Sequence, residues 1–204
     1  AQAILGRPVA EDALILGISG RYEFKNKGID VFIDAMGQLN RNNGLGKEVL
    51  AFILVPAGHA GANKELLHNL ELPYQAVTST DLYLTHYLND SANDPVMNRI
   101  RAQKLRNAEE DKVKIFFVPS YLNGDDGVFN MPYYDLLVGM DLTAFPSYYE
   151  PWGYTPLESL AFKVPTITTT LAGFGLWVKE HYNMNHPGIE VIHREDGDAS
   201  NVAT

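Results

Sequence analysis

Short apolar runs alternate with amphipathic stretches along the chain. A continuous apolar run is typical of a strand buried on both faces, and apolar positions three or four residues apart indicate a helix. The apolar runs predict strands at 13–19, 48–56, 112–118, 142–145, 165–169 and 189–193. The amphipathic stretches predict helices at 28–42, 64–70, 96–105, 134–140, 155–162 and 174–182.

This alternation predicts an α/β fold, a doubly wound parallel sheet with helices on both faces. Residues 1–204 are expected to form a single domain, with a helical insertion around residues 58–95 at the sheet edge. Ligands of such sheets bind beyond the carboxyl ends of the strands. The loops expected to carry the chemistry are therefore those after Ser19, Val118, Phe145 and Thr169.

Composition excludes several classes of protein. The net charge of −9 argues against a nucleic-acid partner, and the absence of cysteine excludes disulfides, thiolate zinc sites and a cysteine nucleophile. No apolar run approaches the roughly 18–20 residues of a membrane span. No histidine pair has metal-ligand spacing, so neither a metal nor another cofactor is expected. A soluble, cytoplasmic domain remains, and the start at Ala1 without an initiator Met suggests a fragment of a longer chain.

Two basic residues follow the first predicted strand. Arg21 and Lys27 lie six positions apart in a turn that ends at Gly28, where a helix is predicted to begin. An arginine fork and a compact lysine charge suit a phosphate group. The alternative is a solvated surface loop, and the stretch matches neither of the common glycine-rich phosphate motifs.

The loop after Phe145 combines aromatic residues with two carboxylates. Glu150 and Glu158 lie eight positions apart, and four aromatics lie among residues 148–154. Aromatic faces beside polar groups suit a sugar or a base. For Glu158 there is a structural alternative, because residues 155–158 (TPLE) fit a capping box with proline at the first helical position. Further on, Gly173 and Gly175 suit either a backbone contact with a ligand or a tight strand-to-helix turn.

Long segments of the chain resemble the eukaryotic-type glycogen synthases, glycosyltransferase family 3. The segments that carry the resemblance are SGRYEFKNKGIDVFIDA, NDSANDPVMNRIRAQKLRNAEEDKVKIFFVPSYLN and FPSYYEPWGYTPLESLAFKVPTITTTLAGFG. The similarity extends from about residue 14 to about residue 194. It implies a Rossmann-like domain, the C-terminal, donor-binding half of a two-domain GT-B enzyme whose N-terminal domain is absent from this chain.

The resemblance also implies an activity and its partners. The family transfers glucose from UDP-glucose to the 4-hydroxyl of a glycogen chain end, with retention of configuration and without a metal. Arg21, Lys27 and Glu150 are implied as catalytic residues, the first two on the donor's diphosphate and Glu150 beside the glucosyl group. The implied substrate contacts are to uracil by Tyr133, to ribose by Glu158, and to phosphate and sugar by the backbone of Gly153, Tyr154 and Thr155.

The residues alone are compatible with two other functions. One is an ADP-glucose-dependent GT-B glucan synthase, which base preference would distinguish from a UDP-glucose enzyme. The other is a non-catalytic module that binds a nucleotide or a carbohydrate. Half of a two-domain cleft cannot position the acceptor, so the isolated fragment is expected to be inactive. Its apolar cleft wall would meet its own N-terminal domain, or favour a homo-oligomer when that domain is missing.

Overall fold

The computed structural model describes residues 1–42, 44–72, 82–182 and 187–195. Strands and helices alternate as predicted over most of the chain. In chain order they are α1 (Gln2–Leu5), β1 (Leu14–Ser19), α2 (Ile29–Arg41), β2 (Val49–Leu54), β3 (His59–Ala62), α3 (Lys64–Glu71), β4 (His86–Leu88), α4 (Pro95–Ala102), β5 (Val113–Val118), α5 (Tyr133–Leu137), β6 (Leu142–Ala144), α6 (Tyr154–Ala161), β7 (Thr166–Thr169), α7 (Gly173–His181) and β8 (Ile189–Ile192).

The main sheet contains all the strands that the apolar runs predicted. Its order is β5-β2-β1-β6-β7-β8, and every pair in it is parallel. Alternate residues of the strands face opposite sides. Ile53 and Phe117 pack in a core with α2 and α4, whereas Leu50 and Phe116 pack on the other face with α1 and α3. Covered faces on both sides confirm the predicted doubly wound α/β fold.

The region around residues 58–95 contains more than the expected helix. The predicted helix is present as α3, but β3 and β4 flank it and pair antiparallel in a small second sheet. Leu84 forms an isolated bridge with Phe117, so this region adjoins the edge strand β5. The β3 and β4 segments are only 4 and 3 residues long, and neither has an apolar run that would predict a strand. Residues 73–81 lie outside the described part of the chain.

The order of the strands determines where a ligand can bind. From β1 the chain continues to β2 on one side, whereas β6 is followed by β7 and β8 on the other side. β1 and β6 are neighbours, with Leu16 opposite Leu142. Parallel sheets bind ligands where the strand order reverses in this way, beyond the carboxyl ends of the strands. The loops after Ser19 and Ala144 lie at that point.

Candidate functional site

The first loop, residues 20–28, connects β1 to α2 and packs directly on a second segment. Gly28 caps α2 with a left-handed backbone, at φ 68°. A Cβ atom built on Gly28 would lie 1.9 Å from the carbonyl oxygen of Pro146. Glycine is therefore needed at this position for two reasons, its backbone angle and the close approach of Pro146.

The second loop, residues 145–153, connects β6 to α6 and is held by backbone hydrogen bonds on two sides. Tyr148 N donates to Asn26 O of the first loop at 2.9 Å. Glu150 N donates to Leu171 O at 3.2 Å, and Gly173 N donates to Glu150 O at 3.0 Å. The second loop is thus held by the first loop at Tyr148 and by the turn between β7 and α7 at Glu150.

Lys27 and Glu150 meet across the two loops. Lys27 Nζ donates a hydrogen bond to Glu150 Oε2, and the two side chains are only 17% and 22% exposed. A pair shielded in this way is screened less by salt and water than a pair on the open surface. Sequence reasoning selected both residues separately, and the fold brings them into contact.

Arg21, the other predicted cation of the first loop, is much more exposed. Its side chain is 78% exposed, and its guanidinium forms an ion pair with Glu23 at 2.9 Å. A pair of this kind contributes little to stability. The guanidinium of Arg21 is therefore available to a ligand at little energetic cost.

A cleft of about 530 Å³ opens between the carboxyl ends of β1, β2 and β5. Four of the predicted site residues line it, namely Arg21, Tyr133, Thr155 and Glu158. Lys27 adjoins the cleft through Gly20, which lines it, and Glu150 lies beside Lys27 and against Gly153, the N-cap of α6. A Cβ atom on Gly20 would lie 3.9 Å from Lys27 Cδ, and one on Gly153 would lie 3.4 Å from Glu150 Cγ.

Tyr133 is half-buried at the base of the cleft. Its hydroxyl lies 2.7 Å from Ser19 Oγ at the end of β1, and burial raises the pKa of the phenol to about 12. The hydroxyl therefore stays neutral, and its hydrogen bond fixes the ring against the end of β1. One face of a fixed aromatic ring is what a flat ligand needs for stacking.

Glu158 does not cap a helix, so the capping-box interpretation is wrong. The helix begins one residue earlier than predicted, because Gly153, at φ 101°, is the N-cap of α6. Thr155 is then the second helical residue, where its side chain cannot cap. Glu158 Oε1 instead accepts a hydrogen bond from Tyr134 Oη at 3.0 Å, which raises the pKa of Tyr134. Among the described residues no side chain caps α6, so its first-turn N–H groups suit an anion.

The two glycines in the first turn of α7, Gly173 and Gly175, serve packing. A Cβ atom on Gly173 would lie 2.2 Å from Pro151 O, and one on Gly175 would lie 2.2 Å from Thr169 O. Both contacts are with backbone oxygens, which cannot move aside as a flexible side chain can. Of the two sequence interpretations, the tight strand-to-helix turn is therefore the one that the packing supports.

Sequence reasoning missed three residues that shape the site. Tyr121 is 76% exposed and lines the cleft after β5, in a loop that the carboxyl-end rule had already marked. Tyr134 holds Glu158, and an adjacent pair of tyrosines gave no sign of which one does so. Arg194 follows β8 and is buried against the second loop. No sequence motif predicts that contact.

Within residues 1–42, 44–72, 82–182 and 187–195, no group of three or more His, Asp or Glu side chains is arranged to hold a metal ion. No helix in those same ranges is long and apolar enough to cross a membrane.

Solved structures share this fold at low sequence identity. The N-terminal domain of Candida albicans trehalose-6-phosphate phosphatase superposes with a TM-score of 0.54 at 13% identity, covering 99% of this chain and 34% of that one. A trehalose-6-phosphate synthase gives 0.53 at 11% identity, with 95% and 36% covered. The fold is that of the Rossmann-like α/β half of a GT-B fold.

Sequence comparison identifies the family. The family model described as glycogen synthase matches residues 9–80 and 76–202. Glycogen [starch] synthase isoform 2 of Saccharomyces cerevisiae is 32% identical over 90% of this chain, and the liver enzyme of Rattus norvegicus is 31% identical over 84%. The chain belongs to the glycogen synthase family. It spans about a third of the length of these relatives, 35% and 31% respectively.

Proposed function

We propose that this chain is the donor-binding half of a glycogen synthase. It would hold UDP-glucose while glucose is transferred, with retention, to the 4-hydroxyl of a glycogen chain end. The strongest support is the contact between Lys27 and Glu150, a shielded cation and carboxylate from two different loops, beside a cleft at the switch point of the sheet. The other half of the catalytic cleft would come from an N-terminal domain of the full-length protein.

The diphosphate of the donor would lie against the first loop. As the glycosidic bond breaks, negative charge grows on the β-phosphate of the leaving UDP. Fixed cations and N–H groups directed at that charge stabilise the transition state more than the ground state. Arg21, Lys27 and the open N-terminus of α6 would supply them, so this chemistry uses side-chain cations and requires no metal.

Glu150 would act beside the glucosyl group. One of its carboxylate oxygens accepts a hydrogen bond from Lys27. A bound diphosphate competes for the same ammonium, which would free that oxygen to accept from a glucose hydroxyl. Donor binding would thereby replace the Lys27–Glu150 contact with two contacts to the substrate.

The nucleoside would lie in the cleft. The ring of Tyr133, fixed by Ser19, offers a stacking surface to uracil. Glu158 lines the same cleft and is oriented by Tyr134, so its second oxygen is available to a ribose hydroxyl. Gly153, Tyr154 and Thr155 form the first turn of α6, whose backbone would meet the phosphate and the sugar.

Nucleotide binding tests the proposal directly. Calorimetric titration of the full-length protein is expected to give a UDP affinity at least tenfold higher than the ADP affinity. Arg21→Ala is expected to weaken UDP binding by about tenfold, because a charge-assisted contact contributes roughly 1.5–3 kcal/mol. The matched control is Arg101→Ala, which removes an exposed arginine of α4 outside the cleft and should leave UDP binding unchanged.

The other outcomes of this titration discriminate the alternatives. Tighter binding of ADP would favour an ADP-glucose-dependent enzyme. Binding of UDP without transfer of glucose from UDP-glucose would favour a non-catalytic nucleotide-binding module. Absence of binding by all nucleotides, in a protein shown to be folded, would contradict the proposed donor site.

Glu158→Gln separates a ligand contact from a structural role. In the full-length protein we expect UDP-glucose to bind about tenfold more weakly, because a charged acceptor is lost from the cleft. The thermal midpoint should hardly change, since Glu158 caps no helix. Glu180→Gln, on the exposed surface of α7, is the control. Unchanged donor affinity together with a stability loss of about 1 kcal/mol would instead indicate a structural role through the bond to Tyr134.

A further inference from the structure

Arg194 is a buried arginine at the end of the sheet. It follows β8, and only 2% of its surface is exposed. Its main chain is tied to the turn after β7, because Arg194 N donates to Thr170 Oγ1 at 2.9 Å and Thr170 Oγ1 donates to Arg194 O at 3.0 Å. The side chain therefore projects from a fixed point of the backbone.

The guanidinium of Arg194 contacts three consecutive residues of the second loop. Nη1 donates to Pro146 O at 2.5 Å and to Ser147 O at 3.2 Å. Its Cζ lies 3.8 Å from the ring centroid of Tyr148, a cation–π contact. These residues directly precede Tyr149 and Glu150, so the guanidinium holds the segment that carries Glu150.

The burial of the Arg194 guanidinium has a large free-energy cost for a contact that serves the structure alone. Burying a cation requires compensating partners. No carboxylate of the described residues forms an ion pair with Arg194, and its Nε and Nη2 have no hydrogen-bond partner within the same ranges. The charge is balanced instead by two carbonyl dipoles and one aromatic face. Both kinds of partner belong to the second loop, so the placement of that loop depends on the guanidinium.

The same carbonyl also connects the two loops. Pro146 O accepts from Arg194 and lies against the Cα of Gly28, where a Cβ would approach it to 1.9 Å. Gly28 directly follows Lys27. Arg194 thus fixes a backbone atom of the second loop that packs on the end of the first loop.

We propose that Arg194 is a positioning residue for glucosyl transfer, which sets Glu150 against Lys27 by fixing Pro146 and Tyr148. This inference rests on the proposed function, because it assigns Arg194 to the reaction of that same site. Arg194 touches neither the cleft nor the groups expected on the donor, and it acts only through the second loop.

Steady-state kinetics of the full-length protein tests the proposal through Arg194→Met and Arg194→Lys. We expect kcat to fall about 100-fold in Arg194→Met, the scale of a misplacement near 1 Å. The KM for UDP-glucose should change less than about threefold, because Arg21 and Tyr133 lie on other elements. Arg194→Lys should recover part of kcat, since an ammonium can donate to a carbonyl but lacks the fork and the flat face.

A matched control separates positioning from stability. Leu66→Ala removes buried volume from α3, in a core cluster that includes no described residue of the second loop. Measured well below both unfolding midpoints, Leu66→Ala should keep kcat close to that of the unmutated protein. Equal kcat losses in Leu66→Ala and Arg194→Met at equal midpoint shifts would overturn the proposal, as would near-normal kcat in folded Arg194→Met. If Arg194→Met does not fold, Arg194→Lys serves for the same comparison.

A crystal structure of the variant keeps this inference separate from the proposed function. Absence of glucosyl transfer from UDP-glucose by the unmutated protein would contradict the proposed function. The ligand-free structure of Arg194→Met, or of Arg194→Lys, is expected to show Glu150 displaced from Lys27. An unmoved Glu150 would overturn the positioning role whatever the substrate.

Discussion

Lys27→Ala in the full-length protein lowers kcat for glucosyl transfer by about 10²–10³-fold. This is the loss expected when one preorganised group is removed from a developing negative charge. Lys27 is suited to the role because its ammonium is held beside the cleft by Glu150 and is largely shielded from water. The affinity for UDP should fall less than kcat, since Arg21 still meets the diphosphate in the ground state. Steady-state kinetics with UDP-glucose and glycogen measures both quantities.

Lys25→Ala is the control for this experiment. Lys25 lies two positions away in the same loop, but it is exposed and pairs with Asp30 instead of Glu150. Asp30 is buried, so removing its partner costs roughly 1–3 kcal/mol of stability, and kcat is compared well below the unfolding midpoint. We expect kcat in Lys25→Ala to stay within about twofold of the unmutated value, because the ammonium removed lies outside the cleft. Comparable losses of kcat in Lys25→Ala and Lys27→Ala would show that the net charge of the loop affects catalysis more than the position of the ammonium.

Gly28→Ala destabilises the protein by about 3 kcal/mol and abolishes most of the activity. The left-handed angle alone costs an alanine roughly 1–2 kcal/mol. The added Cβ would also overlap Pro146 O, a backbone atom, so the two loops must separate. Since Lys27 and Glu150 lie on those loops, their contact should be lost as well. Thermal unfolding measures the stability loss, and kcat in the folded protein measures the separation.

Gly46→Ala provides the matched comparison for Gly28→Ala. No atom lies within 4 Å of a Cβ built on Gly46, and its φ is not in the left-handed region. The substitution should be neutral or slightly stabilising, because alanine has fewer unfolded conformations than glycine. A Gly28→Ala midpoint as high as that of Gly46→Ala would mean that the loops can separate without cost.

The sheet was predictable because its strands are buried on both faces. Such strands read as unbroken apolar runs, and β1, β2 and β5 begin and end within two residues of the predicted bounds. Helix ends deviate by up to three residues, as at α4 and α5. The helix ends depend on local geometry that hydrophobic spacing does not encode, and Gly153 illustrates this at α6.

The residues of the candidate site could be predicted from the sequence better than the contacts between them. Lys27 and Glu150 are 123 positions apart, and their contact follows only from the pairing of β1 with β6. The bond between Tyr134 and Glu158 depends on how α5 faces α6. Arg194 acts from a third strand and resembles any charged residue after a strand. Each of these contacts depends on tertiary packing, which cannot be deduced from a single sequence.

The placement of β1 between β2 and β6 has a consequence for biosynthesis. At about 5–20 residues per second, the 123 positions between Lys27 and Glu150 take roughly 6–25 s to translate. During that time β1 can pair with β2, but its other edge has no strand beside it. Unpaired edges invite association with other chains. A nascent chain that pauses before Leu142 therefore exposes one edge of β1, a central strand of its sheet. The first loop also lacks its packing surface at that stage, because the second loop has not yet been synthesised.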